Sequence, residues 1–263
     1  MPELPEVETI VRGLQPICGA RVRRVRVVDR KLSLPADALA GERIASVSRR
    51  GKYIAIELGS GRSLLVHLRM SGRLLRSCDP EEARHTRLVL DLDRGEVLFV
   101  DPRRLGTVEC VEGEFPHEMG IDPLDRAFTP RHLAAILATS RAPVKVLLMD
   151  QRRIAGIGNI YAAEALWHAR VDPRRRARDL TPREVRALHR AIGLVLNEAI
   201  ARAGTSLGSG VSDFRPEAGR RGEFQEALAV YGREGGACPR CGATVERVKQ
   251  SGRSTYLCPT CQL

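Results

Sequence analysis

The chain has 263 residues, 43% hydrophobic, with a formal net charge of +11 and a pI near 9.9. That is enough for one large domain or two ordinary ones with a real core, and the charge points to a polyanionic partner, most simply nucleic acid. The start is too acidic and polar for a signal peptide and no run approaches 18 apolar residues, which excludes a secretion signal and a membrane span and leaves a cytoplasmic protein as the expectation.

The first residues, Met1-Pro2-Glu3-Leu4-Pro5-Glu6-Val7-Glu8, carry two readings. Pro2 and Pro5 stiffen a helix start and the glutamates favour its N-terminal dipole. Alternatively, removal of Met1 frees a secondary amine at Pro2. An α-amino group titrates near pH ~8 against ~10.4 for lysine, so a useful fraction is neutral and nucleophilic at pH 7. Condensed with an aldehyde-like carbon, a secondary amine gives a cationic iminium, an electron sink. Glu3 stands beside it, where a proton donor or acceptor is needed.

Val7, Ile10, Val11 and Leu14 have helical spacing over residues 3–17. From about 21 to 111 short alternating runs follow: Val22–Val28, Arg43–Ser48, Tyr53–Leu58, Leu64–Leu68, Thr86–Leu92, Glu96–Val100 and Thr107–Val111. Seven short strands at this spacing predict a β-sandwich or barrel. Helices are predicted at 130–139, 143–151, 159–170 and 181–203. Thr129-Pro130 gives an N-cap and first-turn proline, and Thr181 to Glu184 a capping box. Residues 204–222 are rich in Gly, Ser and Arg and read as a mobile loop. The fold class is α+β and multidomain: a β-sandwich flanked by an N-terminal helix (1–120), a helical domain (121–227) and a small terminal module (228–263).

Seven cysteines in a cytosolic chain read as thiols or metal ligands, not disulfides. Cys18, Cys78 and Cys110 stand alone and read as small core residues. Cys238 and Cys241, sixteen residues, then Cys258 and Cys261 form two CxxC pairs around a hairpin-length spacer. Four thiolates close the shell of one tetrahedral Zn2+, so the zinc is structural. The hairpin tip places Arg253 where it could grip a phosphate, or merely face solvent.

Gly156-Ile-Gly158-Asn159-Ile160 reads as a tight turn opening a helix, with Asn159 as its N-cap and phosphate binding at the helix N-terminus as the functional alternative. Arginine outnumbers lysine 39 to 4, so Lys31, Lys52, Lys145 and Lys249 are candidates for places where only a deprotonatable amine serves. Lys52 opens a strand just after Gly51. Met70 and Leu105 lie in turns near arginines, where an apolar residue could enter a base stack or pack on the sandwich.

Taken together, PELPE at the start, GKY at 51–53, HLRMSG at 67–72, DPRR at 101–104, GIGNIYAAEALW at 156–167, VYGREGGACPRC at 230–241 and GRSTYLCPTCQ at 252–262 resemble the formamidopyrimidine-DNA glycosylases of the Fpg/Nei family over the whole chain. PELPE favours the Fpg branch. The resemblance implies a two-sheet sandwich, a helical domain with a helix-two-turn-helix motif, and a zinc finger, with duplex DNA carrying oxidised bases in the cleft between. It implies a monomeric glycosylase and abasic-site lyase acting on oxidised purines, finishing by β- and δ-elimination. It implies that Pro2 attacks C1′, that Glu3 is the general acid/base, and that Lys52 assists proton transfer. Glu6 would help hold the lesion pocket. Met70 and Arg103 would fill the hole left by the extruded base, with Leu105 as wedge. His67, Asn159 and Arg253 would grip phosphates. His85 and Lys145 match residues that the family keeps near DNA and near the lesion.

Three departures stand out. Leu105 occupies a position where Phe is common, Arg69 replaces the Gly often seen before Met70, and Gly208–Val211 lengthen the loop at 204–222 ahead of Ser212-Asp213-Phe214. They put lesion preference in question more than chemistry, so oxidised pyrimidines are the alternative substrate. A non-catalytic zinc-finger protein that recognises damage is the alternative of another class.

Overall fold

Val7, Ile10, Val11 and Leu14 lie on one buried stripe of helix α1, Leu4–Leu14, which continues as a 3-10 turn over Gln15–Ile17. That agrees with the helix read from their spacing. The computed structural model describes residues 1–76, 80–113, 115, 118–206 and 222–263. Cys78 and most of the 204–222 loop, including Gly208–Val211, fall outside the described residues. The chain divides into two compact units. One comprises Met1–His117 with Arg202–Gln225, the other Glu118–Ala201 with Glu226–Leu263.

In the first unit, strands β1 Val22–Val27, β2 Ile44–Arg50, β3 Tyr53–Leu58, β4 Arg62–His67, β5 Arg73–Leu75, β6 Thr86–Leu92, β7 Gly95–Val100 and β8 Thr107–Glu112 form two antiparallel four-stranded sheets. Their orders are β1-β6-β7-β5 and β2-β3-β4-β8. Two single-turn helices, α2 Ala36–Leu39 and α3 Pro80–Ala83, sit in the connections. The inward residues of both sheets, such as Val22, Leu90, Val97, Ile54, Ile56 and Val66, share one core with the stripe of α1. Burying each such side chain contributes about 1.5–3 kcal/mol. Polar contacts fix the helix to the second sheet. Arg49 pairs with Glu8 at 3.0 Å, and the Gln15 amide donates to the Val47 carbonyl at 3.0 Å. Strand β5 is absent from the sequence reading because Arg73, Leu74 and Leu75 are all buried and so show no alternation.

In the second unit, α4 Pro130–Ala138, α5 Val144–Leu148, α6 Asn159–Ala169 and α7 Pro182–Ala201 precede a hairpin of β9 Glu246–Gln250 and β10 Arg253–Leu257. Both predicted caps form. The Thr129 hydroxyl accepts from the His132 N–H at 3.2 Å. Thr181 and Glu184 bond reciprocally at 2.7 and 3.3 Å. The cap of α6 differs from expectation. Gly158, in extended backbone, is the N-cap, and Asn159 is the first helical residue. Helix α6 is covered on all sides, since residues 160–167 are all buried. It is the central helix of its unit. Among the described residues no helix is long and apolar enough to cross a membrane.

Candidate active site

The N-terminus enters the first unit as a buried strap. Pro2 and Glu3 are buried, and Glu6 is 2% exposed. The Glu6 carboxylate accepts from the Glu3 N–H and from the Thr205 N–H, each at 2.8 Å. One side chain therefore ties residues 2–6 to the segment that begins at Arg202. Burial lowers the pKa of the Met1 amine. Glu3 and Glu6 act in the opposite direction, and the charges of Lys52 and Arg103 add to the lowering. The terminal amine thus lies in a desolvated environment shared with two carboxylates and two cations.

Lys52 is unusual in its setting. It sits in the two-residue turn Gly51-Lys52 between β2 and β3, where a lysine ordinarily faces solvent, yet it is 5% exposed. Gly51 has φ +58°, a left-handed conformation that lets the turn close tightly. The next residue, Tyr53, pairs across the sheet with His67, ring edge to face at 4.6 Å. His67 is buried, and its Nδ1 accepts from the Arg69 N–H at 3.1 Å, which fixes the neutral tautomer with its proton on Nε2. Arg69 has φ +52°. That explains why a glycine suits the position and what this chain tolerates with an arginine there, roughly 1–2 kcal/mol of backbone strain.

Two turns then project apolar side chains. Met70 is 46% exposed and Leu105 is 45% exposed, an unusual state for large hydrophobic groups. Both turns are fastened to one residue that sequence reasoning left without a role, although it begins the DPRR motif. Asp101 is completely buried. Its Oδ1 accepts from the Ser71 hydroxyl at 2.5 Å and the Arg103 N–H at 3.2 Å. Its Oδ2 accepts from the Leu105 N–H at 2.8 Å and the Gly106 N–H at 2.7 Å. Gly106 admits no side chain, because a Cβ there would lie 2.6 Å from the Phe99 ring. Arg104, at φ +55°, reaches back to Asp29 through two bonds of 2.7 and 2.5 Å. Arg103 is left exposed beside Leu105. His85 is half-buried, and its carbonyl accepts from the Asp101 N–H at 3.0 Å, so it borders the same turn.

The second unit brings Lys145, Asn159 and the start of β10 together. Lys145 is fully buried. Its Nζ donates to Asn159 Oδ1 at 2.5 Å, Thr255 Oγ1 at 2.8 Å and the Ser254 carbonyl at 3.2 Å. Asn159 Nδ2 donates to the same carbonyl at 3.0 Å. The Asn159 side chain thus braces the hairpin, which accounts for its not capping its own helix. Arg253 lies exposed next to Ser254, immediately after a Ser251-Gly252 turn in which both residues have positive φ.

The four sulfur atoms of Cys238, Cys241, Cys258 and Cys261 lie within 4.8 Å of one another, two pairs at 3.9 and 3.5 Å. A tetrahedron of thiolates ~2.3 Å from zinc has edges of about 3.8 Å, so the set fits one Zn2+ with no open position. Trp167 of α6 donates its indole N–H to Cys238 Sγ at 3.4 Å, and Arg240 stacks over the ring 3.9 Å from its centroid. Val230, Val245 and Ala163 complete this small shared core. Glu164, also buried, accepts from the backbone N–H groups of Ala229, Val230 and Tyr231 at 2.8–3.0 Å. The finger is therefore anchored on α6 by groups that no motif spacing reveals.

The comparisons with known proteins agree with one another. The formamidopyrimidine-DNA glycosylase N-terminal domain matches residues 1–108, the formamidopyrimidine-DNA glycosylase H2TH domain residues 119–210, and the zinc finger found in FPG and IleRS residues 235–263. A formamidopyrimidine-DNA glycosylase of Chloroflexus aurantiacus is 45% identical over 277 residues, covering 100% of this chain and 98% of that protein. The crystal structure of MutM (Fpg) from Thermus thermophilus superposes with a TM-score of 0.91 at 43% identity, covering 99% and 98% of the two chains. The Lactococcus lactis Fpg in complex with abasic-site DNA superposes at 0.88 with 33% identity, covering 99% of each. The chain belongs to the formamidopyrimidine-DNA glycosylase family, as a DNA-repair glycosylase whose four-cysteine finger holds one structural zinc.

Proposed function

We propose that this protein removes oxidised purines, 8-oxoguanine and formamidopyrimidines, from duplex DNA and then cleaves the abasic site through a Schiff base on Pro2. The observation that carries the reading is the burial of Pro2 and Glu3 at a chain start whose charged neighbours are Lys52, Glu3 and Glu6. Desolvation favours the neutral amine, the nucleophilic form.

With Met1 removed, the Pro2 nitrogen attacks C1′ and the damaged base leaves, taking up a proton. Glu3 serves that transfer and the opening of the sugar ring, with Lys52 assisting. The resulting iminium accepts the electron pair released when the C2′ proton departs, and the 3′ phosphate is expelled. A second elimination expels the 5′ phosphate, and hydrolysis of the iminium restores the amine. Met70, Leu105 and Arg103 occupy the space of the extruded nucleotide, with Arg103 toward the orphaned base. Extrusion costs a few kcal/mol, offset by these groups and by phosphate contacts from His67, Asn159 and Arg253. In this scheme Glu6 and Lys145 act as braces, Glu6 for the N-terminal strap and Lys145 for Asn159 and the hairpin, and His85 supports the Asp101 turn. Support for a purine lesion comes from a related MutM solved with carbocyclic 8-oxo-G DNA. Leu105, which offers no ring for stacking, favours oxidised pyrimidines as the second reading.

The test is borohydride trapping. Met-processed protein is mixed with a duplex holding 8-oxoguanine opposite cytosine, and the covalent complex is mapped. A Pro2 adduct supports amine, lyase step and lesion together, and trapping should rise with pH as the amine loses its proton. If only an abasic-site duplex traps, the lyase stands and the lesion assignment fails. Faster excision of thymine glycol transfers the preference to pyrimidines. If nothing traps, the catalytic reading of Pro2 is wrong and a damage-binding protein is the better description. A chain that retains Met1 should not trap.

A further inference from the structure

The second unit carries a groove of about 440 Å3 between α4, the 3-10 turn at Ala177–Asp179 and the first turns of α7. None of its residues takes part in the proposed chemistry. Its lining is mainly apolar, with Leu137 and Val185 buried at its floor and Ala134 and Leu180 nearer the surface. Three exposed arginines, Arg131, Arg178 and Arg186, stand on its rim. Arg178 lies 3.6 Å from Asp179, an exposed neighbour outside the lining. Among the described residues no carboxylate lines the groove. The first residues of two helices, Pro130 of α4 and Pro182 of α7, also line it; the α7 end already carries the Glu184 carboxylate of its capping box, so it is the α4 dipole that adds to the guanidinium groups.

From this combination we infer that the groove is a docking site for an acidic peptide segment of another protein, one that carries an apolar side chain or two between carboxylates. The volume lies within the ~300–1,000 Å3 of sites that enclose small ligands, enough for such side chains. Apolar burial supplies the affinity, and the arginines supply orientation and association rate. Charge complementarity selects the acidic partner. The apolar floor selects peptide over nucleic acid, because a duplex backbone brings phosphates and no side chain to fill it.

The experiment uses the full-length, zinc-loaded protein and a fluorescein-labelled hexapeptide, Asp-Asp-Leu-Phe-Asp-Asp, read by fluorescence anisotropy. Saturable binding is expected, weakened at least tenfold in the Arg131→Glu/Arg186→Glu double variant. Ala134→Trp fills the groove from an exposed position without changing charge and should also abolish binding. Both variants should keep wild-type borohydride trapping, which shows that they fold. An all-Asp hexapeptide should bind at least tenfold more weakly. Equal binding of the all-Asp peptide overturns the inference, since the floor then plays no part. So does equal weakening by Arg24→Glu/Arg26→Glu in the first unit, which means diffuse charge. Loss of duplex affinity in Arg131→Glu/Arg186→Glu, together with displacement of the peptide by undamaged duplex, identifies the surface as nucleic-acid binding instead.

Discussion

Replacing Asp101 tests whether the Met70 and Leu105 turns are held as one piece. The carboxylate accepts four hydrogen bonds, two on each oxygen. Asparagine has one acceptor oxygen. Its best orientation keeps that oxygen on the Leu105 and Gly106 N–H groups and turns the amide toward Ser71, whose hydroxyl can accept. The Arg103 bond, at 3.2 Å the longest of the four, is then lost. The surviving bonds change from charge-assisted to neutral. Bonds to charged groups contribute about 1.5–3 kcal/mol against about 1 for neutral ones. Water reaches the half-exposed turn and offsets part of the loss, so Asp101→Asn should cost about 2 kcal/mol locally and Asp101→Ala about 4 kcal/mol. Amide hydrogen exchange reads this directly. At about 1.4 kcal/mol per factor of ten, protection of the Leu105 and Gly106 amides should fall roughly 30-fold in Asp101→Asn. Excision from a duplex should slow in parallel, while trapping on a single-stranded abasic oligonucleotide, which needs no wedge, should not change. Unaltered protection at Leu105 and Gly106 would refute the claim that Asp101 sets the turn.

Three further outcomes follow from single contacts. The Arg104 hydrogen bonds hold the Asp29 carboxyl at about 2, below its ordinary 3.8. A depressed carboxyl pKa stabilises the fold above the unfolded value and loses that contribution as pH falls through the folded one. Arg104→Met should therefore lower the urea midpoint by a constant amount above pH ~4, with the gap closing toward pH 2; a gap that persists at pH 2 contradicts the assignment. Chelating zinc removes the order around Cys238, the hydrogen-bond acceptor of the chain's single tryptophan. Trp167 emission should shift in proportion to zinc released, one ion per chain, and an unchanged spectrum after full release would show that the indole is not coupled to the site. Lys145→Arg should weaken duplex binding as much as Lys145→Met, each by about tenfold or more, because neither restores the three-acceptor geometry; rescue by arginine in a filter-binding assay would mean that charge alone suffices.

Much of the fold was legible because it rests on local pattern. Tyr53–Leu58 and Thr86–Leu92 were read at their observed bounds, since turn residues flank each short apolar run. Thr129 and Thr181 announced their helices through short-range caps. The zinc ligands were legible for the same reason, a fixed spacing on a short hairpin. What could not be read were side chains whose partners lie far along the chain. Asp101 reaches Ser71 thirty positions earlier. Glu6 reaches Thr205 across nearly two hundred. Asn159, expected to cap the helix it begins, is drawn instead to Ser254. Asp101 and Glu6 make their local bonds and the distant one together. Only Asn159 gives up the local option, because leaving a buried long-range partner unpaired costs more than leaving a helix end to solvent.

Lys145 shows how a lysine kept among arginines can have a geometric reason. A lysine in an arginine-rich chain suggested an amine that must lose its proton. The structure supplies a geometric reason instead. Three oxygens, of Asn159, Thr255 and Ser254, surround one nitrogen at 2.5, 2.8 and 3.2 Å. An ammonium points three N–H bonds outward from a single atom and meets them all. A guanidinium is flat and spreads its five donors in a plane, so it cannot occupy that point without displacing Asn159 or the hairpin. The arrangement therefore suits a lysine, whose place in the molecule is to set Asn159 and the start of β10 in fixed relation, with Arg253 at the end of the strand it holds.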